Sequence, residues 1–144
     1  MTENWSLSLT NEKADAARFA SWIEALSADA DLSKKNAFDL RLFFDEVLGN
    51  LYGYGFADGR AHQIEVKVDC DRSYIRAEVT DDGALFDPTI IGRRARPKTA
   101  DEVTVGGWGI ELIRKIADDL EYERVAGWNV LRMRFRRHRD SIDA

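Results

Sequence analysis

The sequence is short of the features that staple, anchor or disorder a chain. One cysteine, Cys70, excludes an internal disulfide, and a free thiol in Asp69-Cys70-Asp71-Arg72, a segment with hairpin-turn composition, fits a reducing compartment. No apolar run approaches the roughly 20 residues that span a bilayer. The first five residues carry no basic region leading into an apolar one, so no signal peptide is expected, and the cytoplasm is the expected location. Excess positive charge is also missing. The net charge of −5 and pI of about 5.1 give no general attraction to nucleic acid or anionic membrane. Repeats, linkers and low-complexity tracts are absent, so the 144 residues read as one domain (1–144) able to bury a core, with 137–144 expected as a frayed tail. The two histidines, His62 and His138, fall at a strand start and in that tail, where solvated surface is expected.

What is present is a regular alternation of periodicities. Trp5, Leu7 and Leu9 alternate with serines as a first strand, and Thr10 or Asn11 is placed to cap the helix that follows. From 12 to about 30, Ala16, Phe19, Ala20, Ile23 and Leu26 recur at helical spacing. Ser33 opens a second helix to about Gly53, with Leu40, Phe44, Val47, Leu48 and Leu51 as its core stripe. Gln63 to Val68 and Tyr74 to Thr80 alternate with period two and form a hairpin. Residues 88–107 have little periodicity and carry Arg93, Arg94, Arg96 and Lys98, which suit a solvated lid, a phosphate clamp or a partner patch. A third helix follows Gly106-Gly107-Trp108-Gly109. A last hairpin has its turn at Ala126-Gly127-Trp128-Asn129 and a strand in which Leu131, Met133 and Phe135 alternate with Arg132, Arg134 and Arg136. The order β–α–α–β–β–loop–α–β–β predicts an α+β, two-layer α/β sandwich on a mixed, mostly antiparallel sheet.

Three features break these patterns. In the strand ending at Thr80, odd positions face inward and Asp81 continues the odd series, so a carboxylate stands where an apolar residue belongs. Gly83 follows, where backbone can bend or approach a ligand closely. The same residues also suit a polar turn. On the second helix Glu46 and Asn50 lie one turn apart on the flank of the core stripe, as a site or as a solvated face. Gly106, Gly107 and Gly109 expose backbone N–H groups at a helix start, as a phosphate cradle or as a flexible loop. Brought together between two layers, these parts can make a nucleotide site. A buried carboxylate accepts from the exocyclic amine of adenine. An amide oxygen suits Mg²⁺, which favours oxygen ligands and keeps its waters. The glycine loop holds phosphates, and Glu46 takes a proton from an attacking hydroxyl or water.

Glu46-x-x-x-Asn50, Asp81-x-Gly83-x-x-Phe86-Asp87-Pro88 and Gly106-Gly107-Trp108-Gly109-Ile110, in this order, resemble the boxes of the GHKL ATPase superfamily, from about Trp5 to Phe135. The likeness is greatest to the stand-alone anti-sigma factor serine/threonine kinases of bacterial partner switching. The resemblance implies a Bergerat-type fold, ATP and Mg²⁺ as ligands, a homodimer, and a sigma factor and a STAS-domain anti-sigma antagonist as protein partners. It makes Glu46 the general base, Asn50 the Mg²⁺ ligand, Asp81 with Gly83 the adenine reader, and Gly106, Gly107, Trp108 and Gly109 the phosphate loop. Tyr54 stands where such proteins commonly have His, and Trp108 is bulkier than the usual loop residue. These departures leave a second expectation open, a module that sequesters a partner without phosphorylating it, with or without nucleotide.

Overall fold

The computed structural model describes residues 2–56, 58–85, 87 and 109–138. In chain order these form strand β1 (Glu3–Thr10), helices α1 (Ala14–Asp29) and α2 (Lys34–Asn50), and a π-helical turn (Leu51–Gly55). Strands β2 (Gln63–Cys70) and β3 (Tyr74–Asp81), helix α3 (Gly109–Ile116), and strands β4 (Asp119–Val125) and β5 (Trp128–Arg136) follow. The strands make one sheet in the order β1-β2-β3-β5-β4. Among the described residues every pairing is antiparallel, so the mostly antiparallel part of the expectation holds and no parallel pair is found there. The strands flanking β3 place Ile64 and Asn129 on either side of Asp81.

The period-two residues of the inner strands, among them Ile64, Val66, Ile75, Val79, Met133 and Phe135, are buried under the helices. From above they meet Phe19, Ile23 and Leu26 of α1, Leu40, Phe43, Phe44 and Val47 of α2, and Ile113 of α3. Phe43 and Phe44 pack edge to face with centroids 5.2 Å apart. Each such side chain contributes about 1.5–3 kcal/mol through burial, and this layer holds α2 against the sheet. Ser33 caps α2 through its hydroxyl, which accepts from the Asn36 N–H at 3.1 Å. At the start of α1 the Thr10 hydroxyl accepts from the Glu12 N–H, while Asp15 accepts from the Thr10 N–H and hydroxyl. Those two bonds and the Arg18 guanidinium hold the Asp15 carboxyl down at about 2.

Several expectations need correction. Cys70 is not a turn residue. It ends β2, is buried opposite Ile75, and burial pushes its thiol up. The turn follows it, where Asp71 Oδ1 accepts from the N–H groups of Ser73 and Tyr74. The last hairpin turns on two residues rather than four. Ala126 and Gly127 both have positive φ, 49° and 88°, the geometry that matches strand twist in a two-residue hairpin. Trp128 and Asn129 therefore belong to β5. This strand lies inside the sheet, and its outward Arg132 pairs with Glu123 while Arg134 sits over the Tyr74 ring.

The chain is also ordered past Phe135 further than a frayed tail allows. Arg137 donates to the Asp71 and Ala30 carbonyls, and the His138 N–H donates to Asn36 Oδ1. Residues 139–144 lie outside the described residues. His62 is buried rather than solvated, at 8% exposure. Its ring nitrogens lie 2.9 Å from Asp82 Oδ1 and 2.7 Å from Asp58 Oδ1, and its ring stacks on Phe56. Two carboxylates supply what makes a buried imidazole tolerable.

Candidate functional site

Asp81 is where the sheet's alternation places it, pointing inward at 4% exposure. Its Oδ1 accepts from the Gly83 N–H at 2.9 Å and from Asn129 Nδ2 at 3.0 Å. Among the described residues no donor reaches Oδ2. Burial pushes the carboxyl's proton affinity up, opposed by these two hydrogen bonds. Gly83 thus bends the chain back onto the carboxylate of the preceding strand. Its own carbonyl accepts from Arg124 of β4 at 2.7 Å.

Helix α2 brings the second group. Asn50, its last residue, is 2% exposed, and its Nδ2 is buried with no acceptor. One turn earlier, Glu46 is half-buried and its Oε2 is buried without a donor. Desolvation raises the Glu46 proton affinity, and the neighbouring Asp45 carboxylate adds to the shift. Two orphaned polar groups on one flank of one helix are unusual in a folded protein, because each costs about 1–3 kcal/mol when left unpaired. They mark a place that a polar ligand completes. Asn50 and Asp81 share a pocket of about 20 Å³ with Val79, Tyr122 and Asn129. It has room for a water beside the carboxylate.

Gly109 is the first residue of α3. Gly106, Gly107 and Trp108, Phe86 and Pro88 of the second box, and the basic segment 93–98 lie outside the described residues, as does the side chain of Tyr54. Tyr54 itself lies in the π-helical turn that continues α2, and Tyr52 of that turn donates from its hydroxyl to the Thr10 carbonyl. A much larger concavity, about 510 Å³, lies on the opposite, open face of the sheet. Its charged side chains largely neutralise one another, as Arg76 does with Asp69 and Asp71 and Arg132 with Glu78 and Glu123. None of the site residues lines it.

The residues fit ATP on their own chemistry, and the amide oxygen of Asn50 is the group that could meet Mg²⁺. The buried carboxylate Asp81 keeps one oxygen open to an amine, and the unpartnered atom of Asn50 is its Nδ2, a donor that suits an acceptor of the nucleotide rather than a cation. Among the described residues no cluster of three His, Cys, Asp or Glu can cage a metal. One amide oxygen suits an ion that brings water and phosphate as its other ligands.

Two residues of the site escape the motif reading. Tyr122 and Asn129 line the same pocket as Asp81, and Asn129 bonds to it. The signal for Asn129 was available. Counting back from Phe135, Met133 and Leu131 puts residue 129 on the inward parity, a second polar residue at an apolar position. A four-residue turn at 126–129 places it outside the strand.

The family model described as "Histidine kinase-like ATPase domain" matches residues 9–135. The chain therefore belongs to the histidine kinase-like ATPase domain family, and it is an ATP-binding domain. It is 30% identical over 130 residues, 90% of each chain, to the serine/threonine-protein kinase BtrW of Bordetella bronchiseptica. No described helix is long and apolar enough to cross a membrane.

Proposed function

We propose that this chain is an ATP-dependent protein serine/threonine kinase that phosphorylates a STAS-type anti-sigma antagonist and binds a sigma factor in alternation with it. The observation that carries the chemical half is Glu46. It is a half-buried carboxylate whose free oxygen has no donor and whose proton affinity is raised, one turn from the unsatisfied Asn50 amide. A base whose pKa is raised toward the working pH accepts a proton better in the transition state. Glu46 takes the hydroxyl proton of a serine or threonine as its oxygen bonds to the γ-phosphorus and ADP departs. Asn50 would hold Mg²⁺, which supplies charge neutralisation on the phosphates when bound. Asp81 would orient the adenine ring, and the backbone N–H groups of 106–109 would hold phosphate. The relative's name, a serine/threonine-protein kinase, supports transfer to protein. The likeness of the three boxes to anti-sigma kinases supports the partners.

The test is Glu46→Gln, assayed for phosphate transfer from ATP to a candidate STAS-domain antagonist. Transfer falls by about 10²–10⁴-fold, while ATP affinity stays within a few-fold. Unchanged transfer removes Glu46 as the base. A wild-type protein that binds ATP and this antagonist but transfers no phosphate is a sequestering module instead.

A further inference from the structure

The strands opposite the α2 flank hold Asp81 by a chain of hydrogen bonds with a fixed direction. Asn129, 4% exposed on β5, donates from Nδ2 to Asp81 Oδ1 at 3.0 Å and to the Ala84 carbonyl at 2.8 Å. A backbone carbonyl can only accept, so the amide nitrogen must face Ala84 and Asp81. The amide oxygen then faces Tyr122 of β4, 2.5 Å away, and because that oxygen can only accept, the Tyr122 hydroxyl donates. The polarity runs from Tyr122 through Asn129 to Asp81. Together with the Gly83 N–H it saturates Oδ1 and leaves Oδ2 as the acceptor toward the pocket that all three residues line.

We propose that Tyr122 and Asn129 are a positioning pair that fixes the Asp81 acceptor and thereby sets the preference for a 6-amino over a 6-oxo purine nucleotide. The proposal rests on the reading of Asp81 as the residue facing the base. An adenine amine donates to an ionised Oδ2. A 6-oxo group brings a second acceptor against it, and is tolerated only when the carboxyl is protonated and can itself donate. Burial pushes the Asp81 proton affinity up and the Asp82 carboxylate adds to it, while the two donors on Oδ1 and the Arg124 guanidinium oppose the shift and favour the ionised form. If Asn129 is removed, the carboxyl rotates more freely and protonates more readily. If Tyr122 loses its hydroxyl, the Asn129 amide keeps its nitrogen toward Ala84 and Asp81 but its oxygen loses the donor that anchors it, so its hold on Oδ1 loosens. Both changes admit the 6-oxo base.

The experiment measures binding of ATP and ITP to wild type, Asn129→Ala and Tyr122→Phe between pH 5.5 and 8.5, with melting curves as the control for folding. Wild type prefers ATP by about 10-fold or more at pH 8, the worth of one charge-assisted hydrogen bond, and the ratio narrows as the pH falls. Both variants lose several-fold of that ratio at pH 8, and the narrowing moves to higher pH. A merely structural pair lowers both affinities equally and leaves the pH profile in place, and that result overturns the proposal. If Asn129→Ala fails to fold, Tyr122→Phe, which removes one oxygen, decides it. A wild-type protein that binds both nucleotides equally refutes the base-facing reading of Asp81 and the pair with it. Wild-type discrimination that survives in both variants refutes the pair alone.

Discussion

Replacing Asp81 with asparagine separates what this residue does for the ligand from what it does for the fold. The side chain keeps its shape. Its amide oxygen can take over Oδ1, still accepting from Gly83 N–H and Asn129 Nδ2. Its NH₂ group then occupies the Oδ2 position, and a donor meets the donor of the base. Losing a charge-assisted hydrogen bond costs about 1.5–3 kcal/mol, so ATP affinity falls about 10- to 100-fold. Stability moves the other way. Burial raises the Asp81 pKa, so its protonated form is favoured in the fold. Its contribution is fully present below the unfolded value and is lost as the pH rises through the folded one. At neutral pH the ionised carboxylate is a cost that asparagine removes. Calorimetric titration should therefore show weakened ATP binding, while the ligand-free variant melts no lower than wild type, with a stability difference that grows in its favour from pH 4 to pH 7. Wild-type affinity, or a ligand-free protein that melts lower at pH 7, refutes the reasoning.

Three further outcomes follow from the fold. The Asp58 and Asp82 carboxylates raise the His62 pKa, so their stabilisation is complete below about pH 6.5 and is lost as the pH rises through the folded value. His62→Gln should abolish that step in melting temperature between pH 6 and 9, and a curve parallel to wild type rules out the bridge. Cys70, buried with its thiol raised, should react with an aromatic disulfide reagent only as fast as the protein unfolds, whereas rapid labelling of native protein contradicts its burial. Phe43→Ala, at a fully buried position, should cost about 3–5 kcal/mol in a denaturant titration, and a loss under 1 kcal/mol denies it a place in the core.

How much of this was legible depends on how local each signal is. Parity along a single strand placed Asp81 inward, and the helical rotation of 100° per residue put Glu46 and Asn50 together, because both are settled by the segment's own geometry. Turn length is less local. Ala126 occupies a positive φ without the glycine or asparagine that announces one, so nothing in Ala-Gly-Trp-Asn separates two turn residues from four. The error carried Asn129 out of the sheet. The surface placement expected for His62 fails for a related reason. Its partners lie 4 and 20 residues away, and only the pairing of β2 with β3 brings Asp82 to it. The sequence neighbours of Cys70 and Arg137 point to a turn and a tail, whereas their burial and bonding come from contacts with β3 and the α1–α2 connection.

The place of β5 in the sheet has a consequence during synthesis. It inserts between β3 and β4, yet it is the last of the five strands to leave the ribosome. Until it does, β3 presents an unpaired edge, with the Asp81 carboxylate at its end lacking the Asn129 amide 48 residues downstream. An open edge of this kind recruits other strands. A nascent chain halted before β5 should therefore be insoluble or chaperone-bound, and it should gain protease resistance in the same step as ATP binding once the final hairpin emerges.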